Sequence, residues 1–469
     1  MIYAYKISYL SRLVASGIFL SALLWSCTTT IDLPIDPLEE EDGLQSVTFT
    51  VRMPNATPQS YAMNDAAEND IQTIDVLAFR IDNITGTEYF DYRAPGTDMT
   101  DVSMTEKQFK VTLFKNDTVY YRLVFLANVR SELDVLGPAK NAIKAPLLTR
   151  LLSHNPAEWN VAADYRAFPM WGESDRLRID NNLGSLTGIT LLRSVVSIEV
   201  YADDNVAVTD TFTLTDVYLY NRKVYGRVAP DGANYDATGK RVTAPTMPTV
   251  NMTTPLNVPG PLHYPVTPTD HKLVRTIYTY EAGKVYPGDD FSATCLVVGG
   301  IYIPTGRKQY YRLDFMKKDV SGNFQEYSPL LRNHRYQFII KRVSSDGHNS
   351  PDSAFHNKKG NMEVEILAWN LADLNNVIVK EMHQLSLSRG ELTVKGTGEF
   401  YVGVATDHPD GWTAVRKNAA DTWCIVDGSS SDYMKITISS LAPSGGRTAI
   451  INVKAGNMTK EFKLTQQSL

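Results

Sequence analysis

The sequence predicts an all-β protein built from stacked sandwiches. Three observations predict it. From Ser46 the apolar residues Val47, Phe49, Val51 and Met53 alternate with Thr48, Thr50 and Arg52, the period-two mark of a strand with one buried face. Runs rich in β-branched and aromatic residues then recur along the chain, separated by Gly, Asn, Asp and Pro. The 469 residues also include 25 Tyr, 16 Phe, 23 Pro and 29 Gly, an aromatic and turn-rich composition long enough for two to four domains.

In chain order, the first 26 residues read as an export signal. Lys6 and Arg12 supply a positive start, and the apolar run from Leu13 to Trp25 is shorter than the ~20 residues a membrane-spanning helix needs. Leu23-Leu24-Trp25-Ser26-Cys27 resembles the bacterial lipobox, with Trp25 in place of the usual small residue. That resemblance implies cleavage before Cys27 and a diacylglycerol on its sulfur, so Cys27 is the expected lipid-attachment residue. At ~0.8 kcal/mol per buried CH₂, several acyl chains on one residue hold a protein stably on a bilayer. Residues 27–44, with Pro34, Pro37 and the run Glu39-Glu40-Glu41-Asp42, suit a solvated tether.

Strands are expected at Val47–Met53, Ile74–Phe79 and Val119–Leu126. A helix is expected after Pro146, which a first helical turn tolerates, with Leu147, Leu148, Leu151 and Leu152 on one face. A second series opens with Leu192, Val196, Ile198 and Val200 and continues at Phe212–Tyr220. Pro230 to Pro268 then holds eight prolines and no sustained periodicity, which reads as a long surface excursion. Strands resume at Thr294–Ile303, Gln309–Phe315, Tyr336–Val343 and Val364–Trp369. The last segment carries short strands at Leu385–Leu387, Leu392–Val394, Phe400–Val404, Met434–Ile438, Ala449–Val453 and Phe462–Leu464, a spacing that suggests a further small sandwich.

Six pieces in order carry a resemblance over most of residues 45–370. They are Ile74-Asp75-Val76-Leu77-Ala78-Phe79, Phe125-Leu126-Ala127-Asn128, Phe168-Pro169-Met170-Trp171-Gly172, Leu192-Arg193-Ser194-Val195-Val196-Ser197-Ile198, Tyr310-Tyr311-Arg312-Leu313 and Leu331-Arg332-Asn333-His334-Arg335-Tyr336. Together they resemble the fimbrillin family of lipoprotein-derived pilus subunits. The resemblance implies tandem transthyretin-like β-sandwich domains, at 45–185 and 186–375. It also implies other pilus subunits as partners and a surface-exposed outer-membrane lipoprotein. The family's polymerising subunits mature by cleavage after a basic residue in the loop behind the first strand, which opens a groove for a donated strand. Here Met53 to Phe79 contains no Lys or Arg, and the nearest candidate, Arg52, lies within the strand pattern. At the C-terminus, Trp412-Thr413-Ala414, Trp423-Cys424-Ile425, Gly446-Arg447-Thr448-Ala449 and Thr465-Gln466-Gln467 resemble the BACON-type domain of glycan-handling surface lipoproteins. That implies a small Ig-like β-sandwich over 380–469.

Chemistry is sparse. The sequence has no His-Glu-x-x-His, Cys-x-x-Cys pair, phosphate-cradling glycine loop or nucleophile elbow, so no catalytic residue, metal ligand or cofactor is assigned. Net charge −6 and a pI near 5.8 give no footprint for nucleic acid. Cys295 and Cys424, each inside an apolar run, read as buried free thiols. His348, His356, Asp346 and Asp352 share a polar loop, read as solvated because no strand or helix spacing gathers them. Arg332 and His334 suit turn chemistry around Asn333 better than catalysis, since no third group is placed to orient a base. Of the two C-terminal tryptophans, Trp423 is expected in the core. Trp412, after the turn Asp407-His408-Pro409-Asp410-Gly411, is expected half exposed and is the candidate carbohydrate contact. Two functions follow as expectations: an anchor or accessory subunit of a pilus, or a surface lipoprotein that captures glycan through its C-terminal domain.

Overall fold

The first strand, Leu44–Arg52, shows why its sequence folds as it does: every second side chain, Val47, Phe49 and Val51, has no exposed surface, while those between are half-buried or exposed. The computed structural model describes residues 43–53, 65–103, 105–159, 166–203, 206–248, 260–283, 290–318, 324–357, 362–370, 377–380, 383–406, 408–430 and 432–468. The export signal, Cys27 and nearly all of the tether lie outside the described residues.

Two sheets enclose the first core. One has the order Ser185–Thr190, Leu44–Arg52, Glu106–Phe114, Thr97–Asp101; the other runs Leu192–Arg193, Met170–Glu173, Asn116–Ala127, Ile74–Ile81, Glu88–Pro95. Phe49 joins them, stacked on Phe109 at 5.7 Å in its own sheet and edge-on to Phe125 of the facing sheet at 5.2 Å. Ile74–Ile81 is buried on both faces, because Leu77 and Phe79 point outward beneath Leu133, Leu147, Leu148 and Leu151. The helix around Pro146 differs from expectation. It spans Lys144–Thr149, and Leu152 lies beyond it in a short strand, Leu152–His154, that pairs with Tyr225–Arg227. A second helix, Arg130–Leu136, was not signalled by the sequence pattern.

Sheet pairing carries the chain up to Arg193 into this first sandwich, since Ser185–Thr190 runs parallel to the first strand with Thr48 opposite Ser185 and Arg52 opposite Thr190. The second core lies between Ile277–Tyr280, Val195–Ala202, His334–Val343, Met362–Asn370 and a sheet of Leu262–Pro265, Phe212–Tyr220, Cys295–Tyr302, Arg307–Asp314. Part of the expected surface excursion therefore belongs to the fold: Leu262–Pro265 pairs with Phe212–Tyr220 and buries Tyr264. Tyr235–Asp236 and Arg241–Val242 form a hairpin in the same stretch, while residues 249–259 lie outside the described residues.

The third core lies between Val377–Lys380, His383–Leu387, Gly398–Thr406, Tyr433–Ile438, Cys424–Asp427 and Glu391–Lys395, Met458–Gln467, Arg447–Ala455, Thr413–Arg416. Trp369 of the second sandwich packs on it at Gly403, where an added Cβ would come within 2.3 Å of the indole, so only glycine permits the approach. Cys295 and Cys424 are both buried, and neither forms a disulfide among the described residues.

Candidate functional site

The residues that decide whether this chain can open a groove are those of its first strand. Leu44–Arg52 is an inner strand with a hydrogen-bonded neighbour on each side. Its middle and its C-terminal end are fastened as well: the Thr48 amide donates to the Gly184 carbonyl at 3.1 Å, Leu191 donates to the Arg52 carbonyl at 2.8 Å, and Met53 donates to the Thr105 carbonyl at 2.8 Å. Arg52 shows solvent about half of its side chain, 4.0 Å from Glu106, yet its backbone is locked in the ladder. A trypsin-like protease needs an extended, unpaired segment around its basic residue, and Arg52 offers a side chain without such a backbone.

The other end of the chain is held in the same way. Met458–Gln467 lies between Glu391–Lys395, which runs parallel to it, and Arg447–Ala455, antiparallel. Gln466 is fully buried near its end. Its Nε2 donates to the carbonyls of Gly396 and Ser440 at 2.6 and 3.0 Å, and its Oε1 accepts from Arg447 Nε at 2.8 Å. Every polar atom of that amide is thus satisfied, which pins the strand in register.

The segment Leu331–Tyr336 makes the expected turn, with Asn333 in the left-handed region at φ 55°. The sequence did not reveal what its arginines do. Arg332, 1% exposed, pairs with buried Glu281 at 2.7 Å and donates to the carbonyls of Val228 and Arg227. Arg335, 2% exposed, meets Glu68 of the first sandwich at 3.2 Å and Glu199 at 3.1 Å. Tyr278 donates to the same Glu68 at 2.7 Å, and Gln337 links Glu199 to the Trp369 indole N–H through bonds of 3.0 and 2.6 Å. A buried polar chain therefore joins the first sandwich, through the second, to the tryptophan that seats the third. His334 has no catalytic partner in this arrangement; its Nδ1 donates to the Arg332 carbonyl at 2.9 Å, and burial pushes its pKa down.

The loop of His348 and His356 also departs from expectation, because part of it is a helix, Pro351–His356, capped by Ser350. Asp352 accepts from the Tyr220 hydroxyl at 2.8 Å, Asp346 from Thr305 at 3.1 Å, and His348 Nδ1 lies 3.2 Å from the Ser353 hydroxyl. These are packing roles.

Trp423 is a correction. It is half-buried just before an outer strand, Cys424–Asp427, and packs on the third core from its rim, while Cys424 is the residue turned fully inward. Its ring is covered by the Arg447 guanidinium at 4.4 Å, which Ser440 and Gln466 hold in place. Trp412 is half-buried too, beside Gly428 and against the third core. Trp423→Ala and Trp412→Ala are accordingly expected to cost similar amounts, each roughly half the ~3–5 kcal/mol of a fully buried aromatic truncation. Thermal unfolding of the full chain checks this, and a several-fold larger loss at Trp423 would contradict it.

No family model and no curated protein matches the chain. Among solved structures, a candidate cell adhesion protein of Parabacteroides distasonis is 16% identical at a TM-score of 0.40, covering 70% of this chain and 99% of its own. A fimbrial assembly protein of the same species is 15% identical at 0.37, covering 70% and 97%. The fimbrial anchor protein Mfa2 from Porphyromonas gingivalis is 10% identical at 0.23, covering 69% and 97%. Similarities this distant carry no weight for function.

Proposed function

We propose that this chain is a surface lipoprotein, tethered to the outer membrane through Cys27, that serves as an anchor or accessory subunit of a donor-strand-assembled pilus and has other pilus subunits as partners. The observation that supports it most is the seat of the first strand. A stalk subunit of the kind the sequence resembles must lose that strand to open its groove. Here the strand supplies three side chains without exposed surface, Met53 just after it supplies a fourth, and the one basic residue near the exit is bound into the ladder. Met458–Gln467 is likewise paired on both sides within its own sandwich. A chain that keeps its first strand in this seat leaves that groove closed, which suits an anchor or accessory position better than a place in the repeating stalk.

Cys27→Ser tests the tether. The variant is expected to leave a soluble or uncleaved precursor whose β-domains still fold, since among the described residues the first buried core side chain is Val47. Recovery of this variant in the lipid-attached fraction of cells would contradict the proposal. Glycan capture at Trp412 has weaker support, because that ring packs against Gly428 and the third core.

A further inference from the structure

A cleft of about 710 Å³ opens between the second and third sandwiches, within the range of small-molecule sites. One wall carries Tyr201, Asp203 and Lys341 of the second sandwich, and the other carries Tyr401, Tyr433 and Lys435 of the third. The walls meet at a polar bridge: Lys341 Nζ hydrogen-bonds Asp203 and the Tyr433 hydroxyl, which itself donates to Asp203 at 2.8 Å. The same ammonium lies 4.2 Å from the centre of the Tyr433 ring and 5.1 Å from that of Tyr401, and the two rings meet nearly edge-on at 5.4 Å. The position of both tyrosines is therefore set by charge and packing together.

The charges lining the cleft are of both signs. Four carboxylates, Asp203, Asp270, Asp427 and Asp432, face three ammonium groups, Lys272, Lys341 and Lys435, so neither sign dominates and the lining favours neither a polyanion nor a polycation. What such a surface suits is a neutral ligand dense in hydroxyls, each able to donate to a carboxylate and accept from an ammonium. Aromatic rings beside those groups suit the apolar C–H faces of a sugar ring. We infer that this cleft, and not the Trp412 surface, binds a neutral oligosaccharide of about two or three rings. Because its two walls belong to different sandwiches, a bound sugar holds the third sandwich against the second. The inference is independent of how the chain is anchored or assembled.

The test uses the full chain, solubilised in detergent, on an array of neutral, sulfated and uronic oligosaccharides, followed by calorimetric titration of the best ligand. A neutral oligosaccharide is expected to be retained and to raise the melting temperature. Lys435→Ala and Tyr401→Leu should each weaken binding about tenfold or more, while Trp412→Ala leaves it unchanged. The melting temperature of each unliganded variant separates lost binding from lost folding. If Tyr401→Leu melts early, Lys435→Ala, whose side chain is 33% exposed, decides alone. Retention of charged glycans only, no retention at millimolar concentration by the folded chain, or equal affinity in Lys435→Ala would each overturn the inference.

Discussion

Removing the chain up to Met53 is expected to unfold the first sandwich. Val47, Phe49, Val51 and Met53 have no exposed surface, and at ~1.5–3 kcal/mol for each buried side chain their loss rivals the ~5–15 kcal/mol that holds a domain together. The damage does not stop at side chains. Ser185–Thr190 lies at the edge of its sheet with the first strand as its neighbour, so it would lose its ladder as well, and Phe109 and Phe125 would lose the ring between them. Thermal unfolding with hydrogen exchange at residues 185–190 reads both effects. A chain beginning at Pro54 that melts like the full protein, with that strand still protected, would show that the first strand is dispensable and the groove reading open.

Arg332→Met should be nearly as damaging, at a cost of about 3–5 kcal/mol. The arginine supplies the charge facing the buried Glu281 carboxylate and the donors facing two buried carbonyls, those of Arg227 and Val228. After the substitution Glu281 keeps, among the described residues, only backbone donors, the amides of Arg332 and Thr246. Arg332→Lys should recover little, because one ammonium cannot replace the planar fork. The double variant Glu281→Gln with Arg332→Met should recover part of the loss, since it removes the stranded charge. Urea unfolding of the four proteins checks the ordering. An unfolding free energy for Arg332→Met within ~1 kcal/mol of the parent would mean that the pair is not needed to compensate the buried charge.

Strands buried on one face or rich in β-branched residues were legible from sequence. Phe212–Tyr220 has the bounds its pattern predicts, and Val47–Met53 is displaced by only a few residues. Glu88–Pro95 and Thr97–Asp101 escaped, because edge strands keep polar side chains and lack an apolar run; Glu106–Phe114, an inner strand that buries Phe109, Val111 and Leu113, carries a period-two alternation that the expected elements omit. The leucines after Pro146 misled for a different reason: three are buried as a helical face predicts, but tertiary pairing with Tyr225–Arg227 takes Leu152 into a strand. The buried arginines were illegible in principle. Charged side chains are rarely buried without partners, and the carboxylates that make burial tolerable, Glu281 for Arg332 and Glu68 for Arg335, lie far away in sequence. Trp423 illustrates the limit of counting apolar neighbours. Its run is apolar, yet the strand that follows puts Cys424 inside and leaves the indole beneath Arg447.

Mass spectrometry of the mature N-terminus, on protein recovered from intact cells, tests the central claim most directly. The proposed anchor role predicts a chain that begins at lipid-bearing Cys27 and keeps its first strand through Met53. A mature chain cut at or after Arg52, without lipid and assembled with other subunits, would contradict it.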